Sequence, residues 1–567
     1  MRLTIARRAL LAPSLLGTTI LGGLAAGLPA RAQDSEVRLN ALSRQIQVLQ
    51  AELQHVKRDL AVHNEQVKAL AQKAERSQPA PALAVMPNIP AGYALVPAGP
   101  GSAPGSVVLV QTQVPEGPPL PMGTFKVGGV TVTLGGFIEA AGIYRTRNEV
   151  ADIASNFNTG IPLGNSPNYH QGEFRFSARQ SRVSALVQAK PDADTILTAY
   201  SEMDLLGAAP TANSVESDSY NIRVRQEYLA YDRRDLGLYV MAGQAWSLLT
   251  MDKAGIGYLT PGVNVPLTID AQYVPGFTWT RQPQLRVVKS FDDGFFTVAG
   301  SLENPQANFY TGPNGLAPSS VGTININNAG GSNYASTNNY STDVAPDIIL
   351  KAALDPSFGH FEAYGLARFI HDRVSNTGTG DSKTEIGGGG GAAALIHVIP
   401  KYLDIQGSFL AGDGIGRYGS AQLPDAVVGP DGAPVVLPEI QALVGVVGHV
   451  TPMFDLYGYA GTEQVSSRYF SAPVKDKLTG YGYGSPLYSN SSCDIELGSS
   501  SDCVGNTSGV VQGTAGAWWK FLKGDYGTMQ VGAQYSYTHR AVFQGIGPTP
   551  KTDDNILMVS FRYYPFQ

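Results

Sequence analysis

From Met529 to Thr538 the chain alternates without a break, with Met529, Val531, Ala533, Tyr535 and Tyr537 on one side and Gln530, Gly532, Gln534, Ser536 and Thr538 on the other. Strict period two marks a strand with two unlike faces, which a one-residue slip would exchange. The same division recurs in Phe361, Ala363, Gly365, Ala367 and Phe369 against Glu362, Tyr364, Leu366 and Arg368. It recurs again in Leu403, Ile405, Gly407 and Phe409 against Tyr402, Asp404, Gln406 and Ser408. Further strands are predicted to start near Val130, Phe174, Ile196, Ile222, Tyr239 and Leu557. Residues 123–567 therefore read as all-β, in segments broken by polar, Gly-rich loops.

Two architectures use such ribbons in opposite ways. A soluble β-sandwich turns its apolar faces inward, whereas an outer-membrane barrel shows aromatic and small apolar residues to lipid and lines its interior with polar ones. Three features favour the barrel. Aromatic residues gather near strand ends, at Trp518, Trp519 and Phe521 and at Phe561, Tyr563 and Tyr564, where an interfacial girdle places amphipathic rings. Residues 306–345, rich in Asn, Gly, Ser and Thr, form a longer loop than a compact soluble domain usually tolerates. The chain also finishes on a strand, Ile556 to Gln567, which is expected to close against the first one. With Leu557, Val559, Phe561 and Tyr563 turned to lipid, alternation sends Phe566 inward.

Three segments of different composition come first. Arg2, Arg7 and Arg8 precede an apolar run from Ala9 to about Leu28 that ends at Ala30-Arg31-Ala32, the layout of a secretory signal peptide over 1–32. Its removal leaves the remaining chain at net charge −10. Over 33–78 the apolar residues occupy a heptad grid, with Leu39, Ile46, Leu53, Leu60, Val67 and Ala74 at one position and Leu42, Leu49, Val56, His63 and Leu70 at the other. Ten of these eleven are apolar, which predicts an α-helical coiled coil, and a coiled coil needs further copies to bury its seam. The mixture of Leu, Ile and Val leaves dimer and trimer open, and His63 reads as a polar, register-setting core position. Eleven prolines over 79–122 predict an extended, unpaired tether.

Several chemistries are excluded or disfavoured. Lys plus Arg number 40 against 46 Asp plus Glu with no basic block, which gives nucleic acid no electrostatic hold. Cys493 and Cys503, the only cysteines, read as one loop-closing disulfide in an exported chain. His170, His360, His371, His397, His449 and His539 are scattered without metal spacing, and no Gly-x-Ser-x-Gly nucleophile motif is present. Gly412 to Gly416 lacks a βαβ frame and reads as a strand-to-loop junction; Gly387 to Gly391 lacks a phosphate-binding lysine and reads as a flexible loop leading into a strand. Neither an enzyme nor a cofactor or metal is expected.

Arginine marks the polar faces of the early strands. Arg175 and Arg179 alternate with Phe174, Phe176 and Ala178; Arg223 and Arg225 alternate with Ile222 and Val224, with Glu227 assigned to the same side. Arginine facing lipid near the midplane costs roughly 2–4 kcal/mol, so these side chains are expected in the lumen. Opposed by acids such as Glu173, Glu227 and Glu362, they would focus a field that draws small anions, and the planar Arg fork suits a carboxylate. The same pairs equally serve to tie the wall together.

Signal peptide, coil, tether and a barrel opening with Val130-Thr-Val-Thr-Leu-Gly-Gly-Phe-Ile-Glu139 together resemble the DcaP-like outer-membrane porins. Phe176-Ser-Ala-Arg-Gln-Ser-Arg182, Arg223-Val-Arg-Gln-Glu-Tyr228, Gly243-Gln-Ala-Trp-Ser247, Pro266-Leu-Thr-Ile-Asp270, Arg281-Gln-Pro-Gln-Leu-Arg286 and Gly412-Asp-Gly-Ile-Gly-Arg-Tyr418 follow in order, so the resemblance spans nearly the whole chain after the signal peptide. It implies a trimer of about 16-stranded antiparallel barrels with a periplasmic coiled coil, passing small anionic solutes such as dicarboxylates. It also implies a loop within Ser247–Phe277 folded inward to narrow the pore. The expected lumenal set is then Arg175, Arg179, Arg182, Arg223, Arg225, Arg281, Arg286 and Glu227. The chain is thus expected to be a passive channel in the lipid of a bacterial outer membrane. The rival is a structural or adhesive surface protein on a plugged barrel, but 123–567 far exceeds the ~4 strands per chain of a shared adhesin barrel.

Overall fold

The computed structural model describes residues 120–207, 221–313, 315, 322–329, 339–474 and 477–567, and the backbone of 93–97 and 107–111. The chain falls into two units, Met1–Gly117 and Pro118–Gln567. In the first unit, Tyr93–Pro97 pairs antiparallel with Val107–Gln111, so the tether expected to be unpaired contains a hairpin. Val107–Gln111 is proline-free and rich in valine, and Pro97 stands at a strand end, where its missing N–H interrupts no ladder. The expected signal peptide over 1–32 and the expected coiled-coil positions Leu39 to Ala74 lie outside the described residues.

In the second unit sixteen antiparallel strands close into a barrel. They are β1 Val130–Arg145, β2 Arg182–Ala189, β3 Thr195–Gly207, β4 Asn221–Arg233, β5 Leu238–Trp246, β6 Arg281–Phe291, β7 Phe296–Glu303 and β8 Asp347–Leu354. They continue as β9 Gly359–Asn376, β10 Thr379–Ile399, β11 Leu403–Asp413, β12 Pro438–Thr451, β13 Phe454–Val465, β14 Thr507–Gly524, β15 Gly527–Val542 and β16 Lys551–Tyr564. Each pairs with its neighbours in sequence, and β16 closes on β1 from Ile556 opposite Arg145 to Tyr563 opposite Ile138. Short strands Thr124–Val127 and Glu173–Ser177 extend the pairing of β1, and Thr323–Asn325 that of β9. Closure leaves the sheet without a free edge, which is what a backbone in hydrocarbon requires.

The two ends differ. One carries short turns at 190–194, 234–237, 292–295, 355–358, 400–402, 452–453 and 525–526; the other carries the long segments 146–172, 247–280, 304–346, 414–437 and 466–506. Along the strands Ile138, Phe176, Val183, Leu229, Leu350, Val444, Tyr535 and Val559 are exposed on the outer wall, while Glu139, Glu202, Glu303, Glu362, Arg368, Gln406, Gln534 and Ser560 are buried inside. The core therefore lies in the bore, and the apolar faces read from the sequence look outward.

Three local readings change. Trp519, Phe521 and Phe561 form a ring cluster on the outer wall near the short turns, with neighbouring centroids 5.8 Å apart. Trp518, assigned with them to the girdle, is one step along the strand and is buried in the bore. Tyr564 likewise meets Phe137, 5.1 Å between ring centroids, and Phe566 lines the same interior cavity, as alternation required. The glycines 387–391 lie within β10, not in a loop. A Cβ at Gly391 would come within 2.5 Å of the Tyr364 ring, so the missing side chain seats that tyrosine against the wall.

Cys493 and Cys503 are joined, in the 466–506 segment. The Cys493 carbonyl accepts from the Asn165 N–H at 2.7 Å, which docks this turn on the loop following β1. Replacing both cysteines by serine is expected to expose the 490–505 region to limited proteolysis and to leave channel conductance unaltered, read by fragment mapping and bilayer recording.

Candidate functional site

The segment 247–280 folds into the bore. A buried loop must satisfy its backbone N–H groups, and here the wall supplies the acceptors. The N–H of Leu248 donates to Glu303 at 2.8 Å, that of Asp252 to Glu362 at 2.9 Å, and that of Gly255 to Asp355 at 3.0 Å. Farther along, Leu267 N–H donates to the Tyr459 hydroxyl at 3.1 Å, Ile269 N–H to Gln534 at 2.6 Å and Gly276 N–H to Glu463 at 2.8 Å. The Trp518 indole donates to the Leu267 carbonyl at 2.8 Å. The loop thus crosses from its roots at β5 and β6 to β13, β14 and β15. Its apolar residues follow: Leu248, Leu249, Met251 and Ile256 pack with Tyr228, Tyr239, Tyr364 and Tyr418. Ile269, Val274 and Phe277 belong to a second cluster with Leu443, Tyr457, Tyr459 and Met558. The inward loop implied by the resemblance is in place.

A buried charge network fixes its first half. Lys351 Nζ stands 2.7 Å from Glu362 and 3.1 Å from Asp252 and donates to the Thr250 carbonyl at 2.9 Å. His360 lies between Glu362 and Asp355, 2.9 Å from each. Burial pushes the Asp252 carboxyl up, against the pull of Lys351.

Beside the loop, toward the short-turn end, lies a cavity of about 690 Å³. Its charged lining comprises five cations, Arg182, Arg562, Lys253, Lys520 and Lys523, and two acidic side chains, Glu202 and Asp455. Both acids are already engaged: Glu202 binds Arg225 at 2.6 Å, and Asp455 binds Lys520 at 2.6 Å and His449 at 2.7 Å. Cations thus outnumber acidic side chains on the lining.

Arg182 lines this cavity, and Arg225 and Arg281 stand behind it on the lining residues Glu202, Tyr273 and Trp246. Arg225 is 2% exposed, binds Asp204 at 3.0 Å as well as Glu202, and donates to the Tyr273 hydroxyl of the inward loop at 3.4 Å. Arg223 grips Asp204 with two bonds, 3.0 and 2.7 Å, and Arg182 lies 3.7 Å from Glu202. Arg281 stacks on Trp246, 4.5 Å from its ring centroid. Buried donors at Arg182 Nε, Arg281 Nη1 and Trp246 Nε1 have no acceptor among the described residues.

Other expected residues are placed elsewhere. Arg286 donates to Gln284 and to the carbonyls of Gly257 and Trp246, so it holds the inward loop. Arg175 pairs with Glu173 at 3.2 Å and is partly exposed. Arg179 reaches Asp152 at 3.5 Å and the carbonyls of Leu205 and Gly207. Glu227 leaves the lumen altogether. β3 and β4 slip by one residue beyond Glu202, so Arg225 stands unopposed in a bulge with Gln226 buried beside it. Past the bulge the phase inverts, and Glu227 is exposed on the same outer face as Leu229 and Tyr231.

Arg562 escaped sequence reasoning although its signal was present, since alternation through Leu557, Val559 and Phe561 already puts it inside. It binds Glu139 at 2.8 Å and Gln180 at 3.0 Å and lies over Phe137 and Trp518, 4.8 and 4.5 Å from their centroids. Lys253 sits on the aperiodic inward loop and carried no such signal.

The chain matches no protein-family model and no curated protein. Among solved structures it is similar to the outer membrane channel DcaP of Acinetobacter baumannii, with TM-score 0.53 and 16% identity over 78% of this chain and 100% of that one. The anion-selective porin from Comamonas acidovorans aligns over 77% of this chain and 99% of that one, with TM-score 0.39 and 10% identity. OmpT, an outer membrane protein of Vibrio cholerae, aligns over 78% and 99%, with TM-score 0.38 and 12% identity. The DcaP likeness is one of fold.

Proposed function

We propose that this protein is a passive channel for small anionic solutes, dicarboxylates among them. It works in a bacterial outer membrane as a homotrimer, with residues 1–32 removed and the coiled coil in the periplasm. The observation that carries the reading is the cationic excess of the cavity beside the inward loop. Anions are concentrated there by Arg182, Arg562, Lys253, Lys520 and Lys523 and pass the level of Arg225 and Arg281. Release is easy because Arg225 and Arg182 already share their charge with Glu202 and Asp204, and conduction requires a weak hold. No covalent step and no cofactor enters.

Reversal potentials in planar bilayers under a salt gradient test this. Wild-type protein is expected to prefer chloride over potassium, and Lys253→Glu with Lys523→Glu to lower that preference at least about twofold, the lysines acting through the field they set in the vestibule. A closed barrel without conductance would favour the plugged-anchor reading, and potassium preference in the wild type would overturn the anion assignment.

A further inference from the structure

The bulge at Arg225 turns a carboxylate onto a wall that otherwise meets hydrocarbon. Glu227 stands seven residues before the turn at 234–237. At ~3.3 Å per residue that is roughly 23 Å along the strand. With a strand tilt of ~40° this becomes about 18 Å of height, inside the ~25 Å apolar band of such barrels. Its carboxylate has no hydrogen bond or ion pair among the described residues. It is not isolated in chemistry, because a row runs in register across four strands: Ser201 opposite Glu227, Glu227 opposite Gln244, and Gln244 opposite Pro283. Ile222 and Val224 on one side of the row, and Leu229 and Tyr231 on the other, are exposed and apolar. An acyl chain offers this row neither a donor nor a countercharge. A protein surface does.

We infer that the outer wall of β3 to β6 around Glu227 is a contact face between copies of this chain. The occupant follows from the heptad grid at 39–74, which needs further copies of the same segment and so brings further barrels within reach of the 79–122 tether. The inference rests on the oligomer in the proposed function and adds which sector of the wall is covered. A neighbouring barrel supplies apolar surface to Ile222, Val224, Leu229 and Tyr231 and a hydrogen-bond donor to Glu227.

A photo-reactive benzophenone side chain at position 227, with a second probe at Gln244 and a control at Val444 on β12, reads this directly in isolated outer membranes. Val444 is 58% exposed and lies across the barrel from β4. Illumination is expected to join two copies of the chain from 227 and from 244 and not from 444. If both probes label only lipid or a different protein while native mass spectrometry of the unmodified protein shows an oligomer, the interface assignment falls and the oligomer stands. A monomer in that measurement overturns both.

Discussion

Replacing residues 254–276 by a short Gly-Ser linker is expected to raise single-channel conductance at least about threefold, because sixteen strands without an inner loop enclose an open aqueous bore. The excised stretch carries Ile269, Tyr273 and Val274, which fill the bore against β12, β13, β14 and β16. It also carries the N–H groups that occupy Gln534 and Glu463. Anion preference should fall at the same time, since fixed charges act weakly on ions farther away than the ~8–10 Å screening length of physiological to 0.1 M salt. The barrel itself is expected to persist, with water replacing the lost donors at the wall acids. Bilayer recording with circular dichroism of the same preparation checks both statements. Unaltered conductance would mean that another element sets the cross-section.

Lys351→Met is expected to have the largest effect on stability of any single substitution in the bore. Lys351 is completely buried and is the cation shared by Glu362 and Asp252. Removing one partner of a buried ion network typically costs about 3–5 kcal/mol, because the remaining charges stay desolvated without compensation. The triple change Lys351→Met, Asp252→Asn, Glu362→Gln removes the charges together and is expected to recover most of that loss. Urea unfolding of the protein refolded in detergent measures both, and the first half of the inward loop should become noisy in single-channel traces of the single variant. A single-variant loss below about 1 kcal/mol would show that the network does not anchor the loop.

What could be read in advance followed from periodicity. β9, β11 and β15 are legible together with their faces, because each alternates cleanly over eight or more residues. The readings that failed sit where alternation is interrupted or where one residue's phase decides. Counting through Arg223 and Arg225 puts Glu227 in the lumen, and a bulge is invisible to counting. Trp518 and Trp519 are adjacent, so a girdle inferred from their cluster could hold only one of them. Gly387 to Gly391 resembled a loop because glycine is the usual loop residue, yet here it clears space for Tyr364. The partnership between loop and wall was beyond reach for another reason. Asp252 and Glu362, or Ile269 and Gln534, are more than 100 positions apart, and nothing local links them.

At six points the wall holds its inner loop by main-chain groups: carboxylates, a carboxamide and a phenol receive amide protons from Leu248, Asp252, Gly255, Leu267, Ile269 and Gly276. At these points the scaffold grips the peptide and not its substituents, and positions between the packed and paired side chains are free in what they display. Positions such as Lys253, whose side chain lines the cavity, can therefore be exchanged for ones of other size or sign without redesigning the strands, and one barrel can be retuned to new guests by a handful of point changes.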